Sequence, residues 1–466
     1  MDPLMLARWQ FGITTVYHFL FVPLTISLVF VVAGFQTAWY RSGNEQYLRL
    51  TRFFGKLFLI NFALGIVTGI VQEFQFGMNW SDYSRFVGDV FGAPLAIEGL
   101  LSFFLESTFL GLWIFGWDRL PKKVHLATIW VVAFATVLSA FFILAANSWM
   151  QNPVGYRFNE AAGRAELTDI MAVFLSPTAL VTFVHVIPAA FMTGGAFVAG
   201  IAMWRLFRHP LQDAAAFRMA TKVGAWMVVV SGLVLLATGD AQAKVMTAQQ
   251  PMKMAAAEAL YETSQPASFS VFTIGTLDGS AEVFSIRIPY LLSFMATGSF
   301  DGLVEGINNL QEEYEQVHGP GDWSPNIPLV YWAFRLMMGA GGLAALAAAW
   351  FLWSMRKGRL PGQRAVAVAI LLPLLPLAAN SLGWIFTETG RQPWVVHGLM
   401  TTTDGVSPGT TAFEVGLTLV GFTLVYGILA VIEVRLLLRQ IRAGLPAADA
   451  TEGVHEDGES TLALGY

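Results

Sequence analysis

Residues 366–394 read VAVAILLPLLPLAANSLGWIFTETGRQPW, an apolar run that closes on Glu388, Arg391 and two tryptophans as a polar loop begins. A stretch of about 20 predominantly apolar residues without an unpaired charge crosses the hydrocarbon core of a bilayer as a helix. The stretch therefore predicts a membrane span with a carboxylate at its end. Working outward, the same pattern recurs at 15–38, 54–76, 95–117, 125–147, 178–204, 219–238, 329–353, 366–387 and 411–434. Of 466 residues, 55% are hydrophobic and 13% charged, where soluble domains carry about a quarter charged. The fold class expected is an all-α integral membrane protein with nine transmembrane helices. Short connections make sequence neighbours antiparallel partners, in two four-helix bundles plus one peripheral helix. The expected organisation is spans one to six over 1–238, a structured extracytoplasmic loop over 239–328, spans seven to nine over 329–442, and an acidic disordered cytoplasmic tail over 443–466.

Basic residues resist translocation, and 18 of the 27 Lys and Arg fall in segments that lie inside if the first span runs inward. Examples are Arg49, Lys56, Lys122, Arg205, Arg218, Arg356 and Arg439. The N-terminus is therefore read as outside and the C-terminus as cytoplasmic. Residues 1–10 hold no basic leader or small-residue cleavage site, so the first span is expected to be retained. The formal charge of −5 sits in the tail, in Asp449, Glu452, Glu456, Asp457 and Glu459. No Lys/Arg block of the nucleic-acid-binding kind is present. Zero cysteines exclude disulfides, Cys-ligated iron–sulfur clusters and covalently attached c-type haem. Within the long loop, 253–263 reads as a short helix, 268–275 as extended and 289–300 as apolar enough to lie at the membrane surface. Gly65, Gly69 and the glycines of 194–200 read as helix-packing positions, and no internal repeat is evident.

An ionisable side chain in hydrocarbon asks for a partner or a task. His18, Glu98, Glu106, His185, Arg335 and Glu388 all fall in or at the ends of spans. With the topology above, His18, Glu98, His185 and Met337 fall in the outer halves of inward-running spans. Glu388 reaches the same layer at the end of an outward one. Taken alone, His185 reads equally as a partner for a carbonyl freed by Pro188. Met337 alone reads as a gap-filler, and Glu98 or Glu388 as half of an ion pair. Together, at one depth, they match haem, since imidazole and thioether saturate iron while a lone imidazole or carboxylate leaves a face open. Two span histidines are too few for a haem–copper oxidase site.

Four stretches, ARWQFGITTVYHFLFVPLTI (7–26), IEGLLSFFLEST (97–108), FRLMMG (334–339) and GWIFTETGRQPW (383–394), closely resemble subunit I of cytochrome bd quinol oxidases. The resemblance runs to the acidic tail. It implies an electrogenic quinol:oxygen oxidoreductase of the bacterial inner membrane, with haem b558, haem b595 and haem d, and a short outer loop. It further implies that His185 and Met337 ligate haem b558 with Arg335 at its propionates, and that His18 and Glu388 ligate the high-spin pair. Here His18 is read on haem d and Glu388 on haem b595, an assignment that differs among family members. Glu98 is implied at the high-spin site, Trp384 between haems, Lys253 and Glu258 at the quinol site, and Glu106 with Ser139 on a proton path. Arg391 reads as balancing Glu388 or holding a propionate. Without the resemblance, Lys253 and Glu258 read as an ordinary exposed helix face. The implied partners are a homologous second large subunit, small single-helix subunits, quinol and dioxygen. A secondary transporter and a cofactor-free scaffold are the rival readings.

Overall fold

The computed structural model describes residues 2–209, 213–359 and 362–447. Among them lie nine helices long and apolar enough to cross a membrane. Asp2 caps the first by accepting the Leu4 N–H at 3.2 Å, with Pro3 at the first helical position, where its missing N–H costs nothing. The span breaks at Leu20 into α1 (Pro3–Phe19) and α2 (Phe21–Ser42), because Pro23 has no N–H for the Phe19 carbonyl and its ring crowds that turn. Asn44 caps α3 (Glu45–Met78). The third span is α4 (Ser81–Ile97), a π-helical turn over Glu98–Phe103, and α5 (Phe104–Phe115). The π turn follows Pro94, whose absent N–H has already loosened the ladder. The fourth span is α6 (Lys122–Gln151).

A hairpin of β1 (Tyr156–Asn159) and β2 (Arg164–Leu167) and a short α7 (Ile170–Phe174) lead to α8 (Pro177–Arg208) and α9 (Ala214–Gln249). Residues 250–326 hold α10 (Pro251–Glu258), the antiparallel pair β3 (Phe269–Gly275) and β4 (Glu282–Ile288), α11 (Leu291–Thr297) and α12 (Ile307–His318). The seventh span is α13 (Ile327–Ser354), capped by Asn326. The eighth is α14 (Arg364–Leu371) with α15 (Leu374–Thr389), interrupted where Pro376 deprives the Leu372 carbonyl of its donor. After β5 (Trp394–Val396) and β6 (Met400–Thr401) comes α16 (Ala412–Ala443), begun by a Thr411/Glu414 capping box.

The first four spans pack together, as do the next four. The groups meet where α2 and α6 face α8, and α16 lies outside them against α1 and α3. Fully buried Leu28, Phe53, Phe54, Phe58, Phe217 and Phe351 fill a core on the side away from residues 250–326. Close approach needs small residues. Gly195 and Gly224 meet backbone to backbone, and Gly194 leaves no room for a Cβ beside Ser27. The end carrying residues 250–326 is termed the loop end.

Three spans run further toward that end than hydropathy indicates. α1 starts at Pro3 rather than 15, α4 at Ser81 rather than 95, and α9 continues to Gln249 rather than 238. Polar residues lower the hydropathy of these turns, but tertiary contacts keep them helical. Asp89, for example, accepts the Leu167 N–H of β2 at 2.8 Å. The acidic tail from 448 onward lies outside the described residues.

Candidate functional site

His18 and His185 are built alike. The His18 Nδ1 stands 2.9 Å from the Thr68 hydroxyl, and the His185 Nδ1 stands 3.0 Å from the Thr238 hydroxyl. Each threonine O–H donates to its own helix, Thr68 to the Gly65 carbonyl at 2.9 Å and Thr238 to the Val234 carbonyl at 3.0 Å. The hydroxyl oxygen is thus left to accept from Nδ1–H. That fixes the tautomer and turns the lone pair of Nε2 outward, the arrangement a metal-bound imidazole needs. Pro188 does not recruit His185 to a freed carbonyl; the ring is oriented by Thr238 instead. A glycine follows each threonine. A Cβ at Gly69 would stand 3.2 Å from the His18 Cε1, and one at Gly239 3.5 Å from the His185 Cε1. The same Thr-Gly device therefore occurs in the second span of each four-helix group, a duplication that sequence inspection missed.

Met337 lies on α13, which packs on α9, the helix carrying Thr238. Its thioether is 3.0 Å from where a Gly383 Cβ would be. Trp384 is the next residue, and its ring meets that of Phe19, the neighbour of His18, edge to face at 5.1 Å.

At the end of α15, Glu388 is held by three donors. Arg391 Nη2 reaches one carboxylate oxygen at 2.5 Å, and Asn147 and Gln151 of α6 reach the other at 2.9 and 3.4 Å. Gln151 also accepts from the Lys253 ammonium at 2.5 Å. One amide thus links the long loop to Glu388. Asn147 and Gln151 were not singled out from sequence, although their four-residue spacing at the end of an apolar span was a visible signal.

Lys253 and Glu258 are not on an exposed face. Their exposures are 4% and 1%. Burial, with help from Arg391 and against Glu388, pushes the Lys253 ammonium down to about 7. Burial raises the Glu258 carboxyl, opposed by Arg335, by the Ser270 N–H and by Arg287. The cation beside Glu258 is Arg335, at 2.6 Å, and not Lys253. Arg335 lies 4.5 Å over the Phe269 ring, and its Nε and Nη1 have no partner. Arg391 Nη1 is unpartnered in the same way. Buried N–H groups of this kind call for an anionic acceptor.

Glu98, on the π turn, accepts the Ser139 hydroxyl at 2.7 Å. Glu106 is buried on α5, eight residues on, about 12 Å along the helix. The sequence placed Glu98 at the layer of Glu388. On α6, however, Ser139 lies eight residues below Asn147, so Glu98 sits roughly 12 Å deeper than Glu388. The single layer becomes a band about two helical turns thick.

Among the described residues no three His, Asp or Glu side chains converge as a metal cage. The donors present suit an iron that brings its own equatorial ligands: two imidazoles with Nε2 free, a thioether, a carboxylate and arginines with unpaired N–H groups. Fold and site together define a multi-pass helical membrane protein with haem-type donor sets near one end of its bundle. The chain belongs to the cytochrome bd terminal oxidase subunit I family, whose sequence model matches residues 6–445. It is 48% identical over 448 residues to a Bacillus subtilis cytochrome bd ubiquinol oxidase subunit 1, covering 95% of this chain and 94% of that one. It is 36% identical to an Escherichia coli cytochrome bd-II ubiquinol oxidase subunit 1, covering 98% of this chain and 100% of the other. The fold superposes on the structure of bd oxidase from Geobacillus thermodenitrificans with a TM-score of 0.86 at 28% identity, over 95% of this chain and 99% of that one.

Proposed function

We propose that this chain is the haem-bearing subunit of a terminal respiratory oxidase that oxidises membrane quinol and reduces dioxygen to water. The observation that carries the reading is the pair of imidazoles with Nδ1 bound and Nε2 free, each beside a glycine. Haem, when bound, supplies electron transfer from quinol to dioxygen. In this reading His185 and Met337 hold haem b558, and Arg335 offers its free N–H groups to the propionates. His18 and Glu388 hold the high-spin pair, haem d and haem b595 respectively, with Trp384 between haems.

Lys253 and Glu258 bind quinol. A quinol loses two protons with its two electrons, and Glu258, raised by burial, can take one of them. Its ion pair with Arg335 ties the quinol site to the residues assigned to haem b558. Glu106, Ser139 and Glu98 carry protons from the opposite end to the high-spin site. The chain spans the bacterial cytoplasmic membrane with the loop end and N-terminus outside and the basic end and C-terminus cytoplasmic. Protons are then released and taken up on opposite sides, and charge separates without a pump. The exposed apolar faces of α5 and α16, with Phe104, Leu417 and Leu424, are available to a second large subunit, to single-helix subunits and to lipid.

The test is quinol-driven oxygen uptake by the purified complex in sealed vesicles, with proton release recorded. The reading predicts oxygen consumption with one proton released per electron. No uptake would remove the oxidase reading, and a higher ratio would remove only the absence of a pump.

A further inference from the structure

The β3–β4 hairpin has its polarity turned inside out for a segment in water. Its inner face is polar and satisfied. Ser270 and Thr273 are buried, the Ser270 hydroxyl bonds the Thr273 hydroxyl at 2.7 Å and the Tyr331 hydroxyl at 2.8 Å, and the Ser270 N–H donates to Glu258 at 2.9 Å. The outer side is apolar: Val271, Ile274, Leu277, Val283, Phe284 and Ile286 are all exposed. Soluble surfaces do not carry so continuous an apolar patch, whereas apolar-out, polar-in strands are what a lipid environment selects.

The hairpin's depth can be read from α13. Near the tip, Gly279 abuts Pro328. Further along, Phe272 meets the Trp332 ring at 5.4 Å, Ser270 bonds Tyr331, and Phe269 lies under Arg335. From Pro328 to Arg335 is seven residues, roughly 10 Å of helix. The hairpin therefore runs beside the first two turns of the seventh span. Its apolar side continues the exposed face formed on that span by Leu329, Trp332, Leu336 and Leu343.

We infer that the β3–β4 hairpin is seated in the interfacial layer of the bilayer, with its outer apolar face against lipid. A two-stranded ribbon leaves backbone groups unpaired along its edges, which hydrocarbon does not tolerate but the headgroup layer does. The hairpin thereby forms the wall between lipid and the buried Glu258–Arg335 pair.

The absence of native cysteine makes the test direct. Val283→Cys, Phe284→Cys and Ile286→Cys are made one at a time, labelled with an environment-sensitive fluorophore, and the intact complex is reconstituted into phosphatidylcholine/phosphatidylglycerol vesicles. Lipid carrying a nitroxide near the headgroup end of its chain should at least halve emission at all three positions, and aqueous iodide should leave it nearly unchanged. Leu343→Cys, deeper on α13, should respond to a nitroxide near the chain end, and Glu313→Cys on α12 to iodide alone. Quenching of the hairpin by iodide but not by lipid overturns the inference. So does protection from both quenchers, which would place a protein subunit on this face. None of these readouts depends on haem or turnover.

Discussion

The two histidine sites share an orienting device and differ in what surrounds it. His18 and His185 each give Nδ1–H to a threonine on the next span, and each lies beside the glycine after that threonine. The second four-helix group adds a thioether, Met337, on a helix packed against Thr238's helix. The first has no thioether assigned to it: Phe19, beside His18, meets Trp384 of α15, and the tethered carboxylate of Glu388 lies one turn further along that same helix. An imidazole with a thioether makes a closed, electron-transfer site, whereas an imidazole without one leaves iron open to a gas. On the proposed ligand assignment, one construction used twice would support two chemistries, with the second ligand deciding between them.

The largest effects should come from removing either imidazole. His185→Ala should abolish the low-spin haem signal and spare the high-spin bands, and His18→Ala should abolish the haem d band and spare the low-spin signal. Loss of both signals from either change would mean that the sites are not separable. Next, Met337→Leu should convert the low-spin haem to a high-spin or lost form, and an unchanged low-spin spectrum would refute that ligand. Smaller effects are expected from the orienting hydroxyls. Thr68→Val and Thr238→Val should each weaken retention of their own haem by about 10–100-fold, measured by haem content through purification. Serine at either position should restore it, because serine keeps the acceptor oxygen.

The smallest effect lies in the loop. Lys253→Ala should raise the apparent KM for quinol with haem content intact. Because burial pushes Lys253 down to about 7, its charge is present below that pH and is lost above it. Wild-type KM should therefore rise as pH passes upward through about 7, and Lys253→Met should flatten that rise. A rise that persists in the variant would assign the titration to another group.

The nine spans were legible because each is a long apolar stretch with few charges, and the strand over 268–275 was legible from pattern; the short helix expected over 253–263 was also found, but it runs over Pro251–Glu258 and ends where Ala259 turns left-handed. Span ends were not. Asp2, Asp89 and their neighbours interrupt the hydropathy, while caps and contacts outside the apolar run keep those turns helical. That error in the third span's start is what set Glu98 too close to the loop end. The ligand-type residues His18, His185, Met337 and Glu388 stood out because polar groups in apolar runs are rare. Thr68, Thr238, Asn147 and Gln151 did not, since such residues are unremarkable until a tertiary contact gives them a task. The same holds for the partner of Glu258. Arg335 is far away in sequence, and the nearby Lys253 turned instead toward Gln151.

The most direct test of two histidine sites carrying haem is the visible spectrum of the purified, dithionite-reduced complex. The reduced complex should show b-type bands together with a red-shifted chlorin band. Bands of b type alone would remove haem d and leave the rest standing. A spectrum with no haem band at all would contradict the central claim.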